Sequence, residues 1–172
     1  MIVLSNHITD IAVRTNVQHI VRLSSYGIDN YIFDVNCVSQ GNLGEAHRLA
    51  ELYMVSAGIS FTSIRPTSFF SNFAKFDLQS INESSQFSSP LGNQAIVNWV
   101  ACQDVGDICA WALMDTDFIG SQRIINVTGP QSNSLSSKAM VDLVSKLTNK
   151  KIEYIYVDAP PIDDLQQLWN FL

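Results

Sequence analysis

Cationic residues are scarce in this chain of 172 residues. Lys and Arg total 10 against 16 Asp and Glu, which gives a formal net charge of −6, and the cations are not clustered. Duplex nucleic acid is bound through a basic stripe that meets the phosphates. The sequence offers no such stripe, so we expect no contact with nucleic acid.

Paired cysteines and metal-ligand motifs are also missing. The three cysteines, Cys37, Cys102 and Cys109, form no close pair, so neither a disulfide framework nor a zinc knuckle is indicated. The three histidines show no HxH or HExxH pattern. We therefore expect no metal site and a reducing compartment.

Long hydrophobic runs are absent as well. No segment approaches the roughly 20 apolar residues that a membrane-spanning helix needs, and no signal-peptide core follows Met1. Hydrophobic residues still make up 47% of the chain, enough for a core. We expect one globular, cytoplasmic domain over residues 1–172, without membrane contact.

The hydrophobic pattern predicts alternating helices and strands. The predicted helices cover 9–17, 43–57, 104–114, 136–147 and 162–172. The predicted strands cover 19–25, 59–64, 95–101, 123–127 and 152–157. Residues 28–42 and 77–94 are predicted loops. This alternation indicates an α/β fold with a mostly parallel sheet.

Ligands of open parallel sheets bind beyond the carboxyl ends of the strands, so the residues that follow each strand are candidates for a site. Ser24 and Ser25 follow the first predicted strand, residues 65–72 the second, and Cys102 and Gln103 the third. Hydroxyl and amide side chains dominate these positions.

Five parts of the sequence, the last made of two segments, then carry a resemblance to a known family. They are Val21–Ser25, Leu43–Glu51, Ser56–Pro66 and Phe70–Asn72, and downstream Asp104–Ile108 with Asn126–Pro130. In order and spacing they resemble the NmrA-like group of atypical short-chain dehydrogenases/reductases over nearly the whole chain. The resemblance implies a partial Rossmann-like, doubly wound parallel sheet. It would be the C-terminal portion of an NAD(P)-binding fold, with part of a small substrate-side lobe.

The resemblance implies a dinucleotide, NADP(H) or NAD(H), bound in a full-length form. His47 stands where the wider superfamily has a lysine that bonds the nicotinamide ribose, and it is the one weak candidate for a catalytic residue. Ser24 and Ser25 would contact the cofactor or the substrate. On their residue types alone, His47 is equally consistent with a half-exposed helix histidine, and the serines with ordinary turn residues.

The segment after Pro66 is implied to form a wall against the nicotinamide end of the cofactor. Its members are Phe69, Phe70, Ser71 and Asn72. The phenylalanines are also spaced to fill the edge of a core, which remains an alternative. Glu51, in the helix before, is expected to pair with a basic neighbour such as Arg48 or to cap a nearby backbone group.

Two departures from the family pattern bear on function. The eight glycines never approach the GxxGxxG spacing that holds a dinucleotide pyrophosphate at a helix N-terminus. The sequence therefore resembles a family member truncated at the N-terminus and shortened at the C-terminus. In addition, Leu43 and His47 stand where the superfamily has its catalytic tyrosine and lysine, and leucine transfers no proton.

Three functions are compatible with these features. In the first, the chain is part of a protein that binds NAD(P)(H). That protein would be a reductase of quinone or azo type or a redox sensor, with a small-molecule substrate or a protein partner. Alternatively it is a truncated, non-catalytic interaction module or an inactive paralogue. A more distant alternative is a relative of the extended sugar epimerases and dehydratases.

Overall fold

The computed structural model describes residues 2–30, 43–76, 78–89 and 94–157. Within these ranges the chain forms six α-helices and eight strands. The helices are α1 (Ile2–Arg14), α2 (Leu43–Ser56), α3 (Phe70–Phe76), α4 (Leu78–Ser84), α5 (Cys102–Met114) and α6 (Ser137–Thr148). The strands are β1 (Ile20–Leu23), β2 (Phe61–Pro66), β3 (Ser68–Phe69), β4 (Gln86–Ser89), β5 (Ile96–Val100), β6 (Gln122–Val127), β7 (Ser134–Ser136) and β8 (Glu153–Tyr156).

These elements divide into two compact units. The first unit takes its described residues from Met1–Pro66 and Gln103–Val127, and the second from Thr67–Cys102 and Thr128–Pro161. The prediction of one domain over residues 1–172 stays a prediction.

The first unit contains a parallel sheet with the strand order β1-β2-β6. Every residue of the central strand β2 is buried, because it has a neighbour on each side. A core of Ala12, Met54, Ile59 and Phe61 joins the helices to this sheet, and Ile20 packs against it. Helix α2 ends before Gly58, whose φ of +68° is the left-handed conformation that terminates helices.

Helix α1 buries Thr9 and Ala12 and leaves several apolar side chains exposed. The Thr9 hydroxyl donates to the Ser5 carbonyl at 3.0 Å, which satisfies it inside the protein. Leu4, Ile8 and Ile11 are 65%, 52% and 52% exposed. Their i, i+4, i+7 spacing aligns them along one side of the helix, and we call these three residues the α1 stripe.

The second unit contains two small sheets. Strand β5 pairs in parallel with β3 and antiparallel with β7, while β4 pairs in parallel with β8. Its core gathers Ile81, Phe87, Val141 and Ile152, with Phe73 stacked on Phe87. The α/β class and the mostly parallel pairing are thus confirmed.

Most predicted elements are present with shifted ends. The first helix starts at Ile2 rather than Thr9, and the second strand continues through Pro66, which was expected to lie beyond its end. Proline is accepted there because it occupies the last position of the strand.

One prediction was wrong. Of residues 77–94, expected to form a loop, the described part holds α4 and β4. The segment is rich in serine and was therefore predicted as a loop, but two of its apolar residues, Ile81 and Phe87, are buried in the core. Most of the predicted loop 28–42 and the predicted helix 162–172 lie outside the described residues. None of the described helices is long and apolar enough to cross a membrane.

Candidate functional site

A polar layer occupies one face of the parallel sheet in the first unit. Arg22 pairs with Ser63 across β1 and β2. Side chains two residues apart on a strand share a face, so Ser24 lies on the side of Arg22 and Arg65 on the side of Ser63. Four polar side chains thus stand together where a helix-covered sheet would ordinarily be apolar.

Glu51 of α2 is the centre of this layer. Its Oε1 accepts a hydrogen bond from the Ser63 hydroxyl and one from Arg65 Nε at 3.1 Å, and its Oε2 accepts from Arg65 Nη2. Ser24 Oγ is close enough to stabilise the carboxylate charge, although it makes no hydrogen bond of ordinary geometry. Burial acts to raise the pKa of Glu51, but hydrogen bonds, above all those from Arg65, hold it below its ordinary value.

Arg65 also reaches the rim of the layer. Its Nη1 donates to Asp29 Oδ2, and Arg48 Nη1 lies 3.2 Å from Asp29 Oδ1. The hydrogen bond from Arg65, together with the charges of Arg65 and Arg48, lowers the pKa of Asp29. The expectation that Glu51 pairs with a basic neighbour is confirmed, but that neighbour is Arg65 and not Arg48. Arg48 pairs with Asp29, because the adjacent strand presents Arg65 directly to Glu51.

His47 lies one helical turn before Glu51, on the same side of α2. Its Nδ1 is buried and has no hydrogen-bond partner, which is also true of Arg22 Nη1 and Ser24 Oγ. Burial lowers the pKa of His47, the Arg22 cation lowers it further, and Glu51 opposes both. The imidazole is consequently held in its neutral form near neutral pH, as a hydrogen-bonding group and a poor proton donor.

A buried polar atom costs about 1–3 kcal/mol when it is left unpaired, and His47 Nδ1 and Arg22 Nη1 are two such atoms, as are both carboxylate oxygens of Glu45 in the same helix as His47. A neutral imidazole and a hydroxyl both donate and accept hydrogen bonds, which is the chemistry that a ribose hydroxyl requires. Ser24 and His47 therefore fit the nicotinamide–ribose part of a dinucleotide in their donor set. The sequence supplies no glycine-rich turn for the pyrophosphate.

The remaining predicted site residues divide between the two units. Ser25 is half-buried at the end of β1, beside Ser24. Phe69 and Phe70 belong to the second unit, where Phe69 pairs with Val100 and Phe70 stacks on Trp99 at 5.8 Å between ring centroids. These contacts match the packing alternative, and a role in binding the cofactor stays a prediction.

Ser71 and Asn72 are exposed on α3 of the second unit. Ser71 Oγ lies 3.2 Å from Cys102 Sγ at the start of α5. In the described ranges, no group of three or more His, Cys, Asp and Glu side chains is arranged to hold a metal ion.

Sequence reasoning missed Arg22 and Asp29 as site residues, and it placed Arg65 among the candidates only as a residue that follows a strand. A signal was present: a polar residue recurs two positions apart in both strands, and His47 and Glu51 are four residues apart in the helix between them. These spacings direct the side chains to the same interface, which a search for known catalytic pairs does not test.

Comparisons with known proteins agree with the fold. The model of the NmrA-like family matches residues 2–170. A curated relative, Prestalk A differentiation protein A of Dictyostelium discoideum, is 30% identical over 104 residues, which cover 60% of this chain and 33% of the relative.

Solved structures with the same fold include oxidoreductases and a sugar epimerase. Citrobacter triphenylmethane reductase in complex with NADP(H) aligns with a TM-score of 0.72 and 18% identity over 99% of this chain and 53% of its own. The NADPH-dependent quinone oxidoreductase of Escherichia coli aligns with a TM-score of 0.74 and 14% identity, over 89% of this chain and 49% of its own. A nucleoside-diphosphate-sugar epimerase of Staphylococcus aureus aligns with a TM-score of 0.73 and 14% identity, over 96% of this chain and 53% of its own. The chain thus spans about half the length of these solved proteins and one third of the curated relative.

Proposed function

Because this chain belongs to the NmrA-like family, we propose that it contributes the nicotinamide side of a site for NADP(H) or NAD(H) in a full-length form. His47 and Ser24 would bond the nicotinamide ribose. Ser25 would contact the cofactor or the substrate, and a cofactor contact by Phe69, Phe70, Ser71 and Asn72 of the second unit is a separate proposal.

One observation carries the proposal: His47 Nδ1 is buried without a hydrogen-bond partner, one helical turn from Glu51. Two similar solved proteins are described with NADP(H) or NADPH bound, which supports a dinucleotide as the ligand. The reduced dinucleotide would carry a transferable hydride when bound. The chain's own residues would bind and orient it.

Within this proposal, redox sensing is favoured over carbonyl reduction. Leu43 occupies the tyrosine position of the superfamily, and the lowered pKa of His47 leaves little imidazolium to donate a proton near neutral pH. Reduction of a quinone, an azo compound or another small molecule remains the enzymatic form of the proposal. A cytoplasmic location belongs to it as well, since the sequence has no paired cysteines.

Equilibrium dialysis against NADPH tests binding, with a longer gene product that contains this chain. We expect saturable binding, and we expect His47→Gln to weaken it about three- to tenfold, the contribution of one hydrogen bond. His7→Gln on α1 is the matched control and should bind as the parent does. Absence of saturable binding, or equal weakening by both variants, would contradict the proposal.

A turnover assay separates the two forms of the proposal. A protein that binds NADPH but does not oxidise it in the presence of quinones or azo dyes is a sensor, and steady oxidation identifies a reductase. If dialysis fails, the second candidate is an interaction module. The exposed α1 stripe favours that role, because neighbouring exposed apolar side chains are typical of interaction surfaces.

A further inference from the structure

His19 lies at the amino end of the parallel sheet in the first unit, directly before β1, and both of its ring nitrogens contact hydroxyl groups. Nδ1 lies 2.6 Å from Ser60 Oγ, and Nε2 lies 2.9 Å from Thr62 Oγ1. Ser60 directly precedes β2, and Thr62 is the second residue of that strand. The imidazole thus joins the starts of the two strands.

The Ser60 hydroxyl also binds the connection that leads from α5 into β6, residues 115–121, which we call the β6 connection. Gly120 N–H donates to Ser60 Oγ at 2.9 Å, and Ser60 Oγ lies 3.0 Å from the carbonyl oxygen of Ser121. Phe61 N–H donates to the same carbonyl oxygen at 3.0 Å. One hydroxyl group therefore links the imidazole to the β6 connection.

The surroundings of Thr62 decide which ring nitrogen carries the proton of the neutral imidazole. Thr62 is completely buried, and His19 Nε2 is the one hydrogen-bond partner of its hydroxyl among the described residues. Because a buried hydroxyl proton needs an acceptor, Thr62 donates and Nε2 carries no proton. Nδ1 therefore carries the proton and donates to Ser60 Oγ, and the Ser60 proton is left for the Ser121 carbonyl.

A second proton on His19 would disrupt these hydrogen bonds. It would turn Nε2 into a donor that faces the Thr62 hydroxyl, whose own proton would then lose its acceptor. Arg123 of β6 holds the β6 connection through Ser121 Oγ at 3.1 Å and the Asp117 carbonyl at 2.8 Å, and its cation would repel the imidazolium. Burial and Arg123 lower the pKa of His19, and no carboxylate of the described residues opposes them.

We propose that His19 is a proton-controlled latch on the β6 connection, which the neutral imidazole holds closed through Ser60 and which protonation releases. The latch lies at the amino ends of the strands, whereas Ser24 and Arg65 of the candidate site lie at the carboxyl ends. This inference therefore goes beyond dinucleotide binding and stands whether or not the chain binds NADPH.

The direction of the pH dependence follows from linkage. When the latch is open, His19 regains its ordinary pKa of 6.5, and the closed state has a lower one. The open state therefore takes up the proton first as the pH falls. The latch is fully stable above about pH 6.5, and below it the closed state loses population by up to about tenfold per pH unit, until the pH reaches the pKa of the closed state.

Amide hydrogen exchange of Gly120 between about pH 5 and 8 tests the latch, because this N–H is bonded to Ser60 Oγ. After correction for the intrinsic exchange rate, we expect a constant protection factor above about pH 6.5 and a fall of up to about tenfold per pH unit below it. His19→Asn keeps a hydrogen-bonding amide near the position of Nδ1 and does not titrate, so its Gly120 protection should not depend on pH. His47→Gln is the matched control: it removes another imidazole of lowered pKa in the same unit and should leave the pH dependence of the parent.

NMR of the His19 ring nitrogens provides a second measurement, which needs no variant. We expect the proton on Nδ1 above about pH 6.5, and we expect the loss of Gly120 protection to follow the titration of His19. A proton on Nε2, constant Gly120 protection while His19 titrates, or an unchanged pH dependence in His19→Asn would overturn the proposal. So would loss of the pH dependence in His47→Gln, which would assign the effect to the other histidine.

Discussion

Glu51 and Arg65 form an ion pair whose side chains are only 3% and 2% exposed. Arg65 approaches with both Nε and Nη2, so each oxygen of the carboxylate accepts from the guanidinium. Because this ion pair is bidentate, it fixes the position of helix α2 relative to strand β2. The pair is the most completely bonded part of the polar layer.

Removing one member of this pair should be costly. We expect Glu51→Gln to lower the free energy of unfolding by about 2–4 kcal/mol, because the buried Arg65 cation would lose its buried counter-charge and keep only the exposed Asp29. Urea denaturation measures the change. The exposed pair of Lys138 and Asp142 is the control, and Asp142→Asn should change stability by about 0.5 kcal/mol or less.

Replacing both members should cost less than replacing one. The double variant Glu51→Leu with Arg65→Met removes both charges and keeps apolar volume, so we expect it to be more stable than either single variant. A double-mutant cycle by urea denaturation gives the coupling energy. Additive losses would show that the two charges do not depend on each other.

Acid should weaken the first unit through Glu51. Its folded-state pKa lies below the ordinary value of 4.5, so the unfolded chain takes up the proton first as the pH falls. The stabilisation is therefore complete above about pH 4.5 and is lost as the pH falls through the folded-state pKa. Asp29, whose pKa is also lowered, acts in the same direction. We expect the urea midpoint to decline less steeply with acid in Glu51→Gln.

The pKa of His47 should respond in opposite directions to its two charged neighbours. It lies below 6.5, and Arg22→Met should raise it by removing a cation, while Glu51→Gln should lower it further by removing an anion. Titration followed by NMR measures both shifts.

His19 is the control for this experiment. Burial and the Arg123 cation lower its pKa, so Arg123→Gln should raise the pKa of His19 and leave that of His47 in place. If Arg22→Met moved both histidines equally, a general change of structure would explain the result better than the local charge.

Two glycines should respond to alanine with opposite signs. A Cβ on Gly129 would collide with the backbone carbonyl oxygen of Trp99, so we expect Gly129→Ala to destabilise the second unit by about 1–3 kcal/mol. Gly106 lies within α5 and a Cβ there meets nothing, so Gly106→Ala should stabilise by about 0.5–1 kcal/mol. Thermal unfolding distinguishes these outcomes, and a neutral Gly129→Ala would mean that the segment moves freely away from Trp99.

Local sequence patterns predicted the elements better than their partners. Periodicity and the Gly58 terminator located α2, because both signals lie within a few residues of each other. Serine-rich composition did not predict α4 and β4, because the burial of Ile81 and Phe87 stabilises these elements more than their exposed serines disfavour them. The ion pair of Glu51 depends on which strand lies beneath α2, and a single sequence does not state that contact.

The polar layer also determines how α2 can sit on its sheet. Apolar side chains tolerate a helix that slides along a strand, because one methyl group packs much like another. The Glu51 carboxylate finds Ser63 and Arg65 at one setting only, and a slip of one helical turn, about 5.4 Å, would leave it buried with no donor. The hydrogen bonds of the layer thus favour a single register between α2 and the strands.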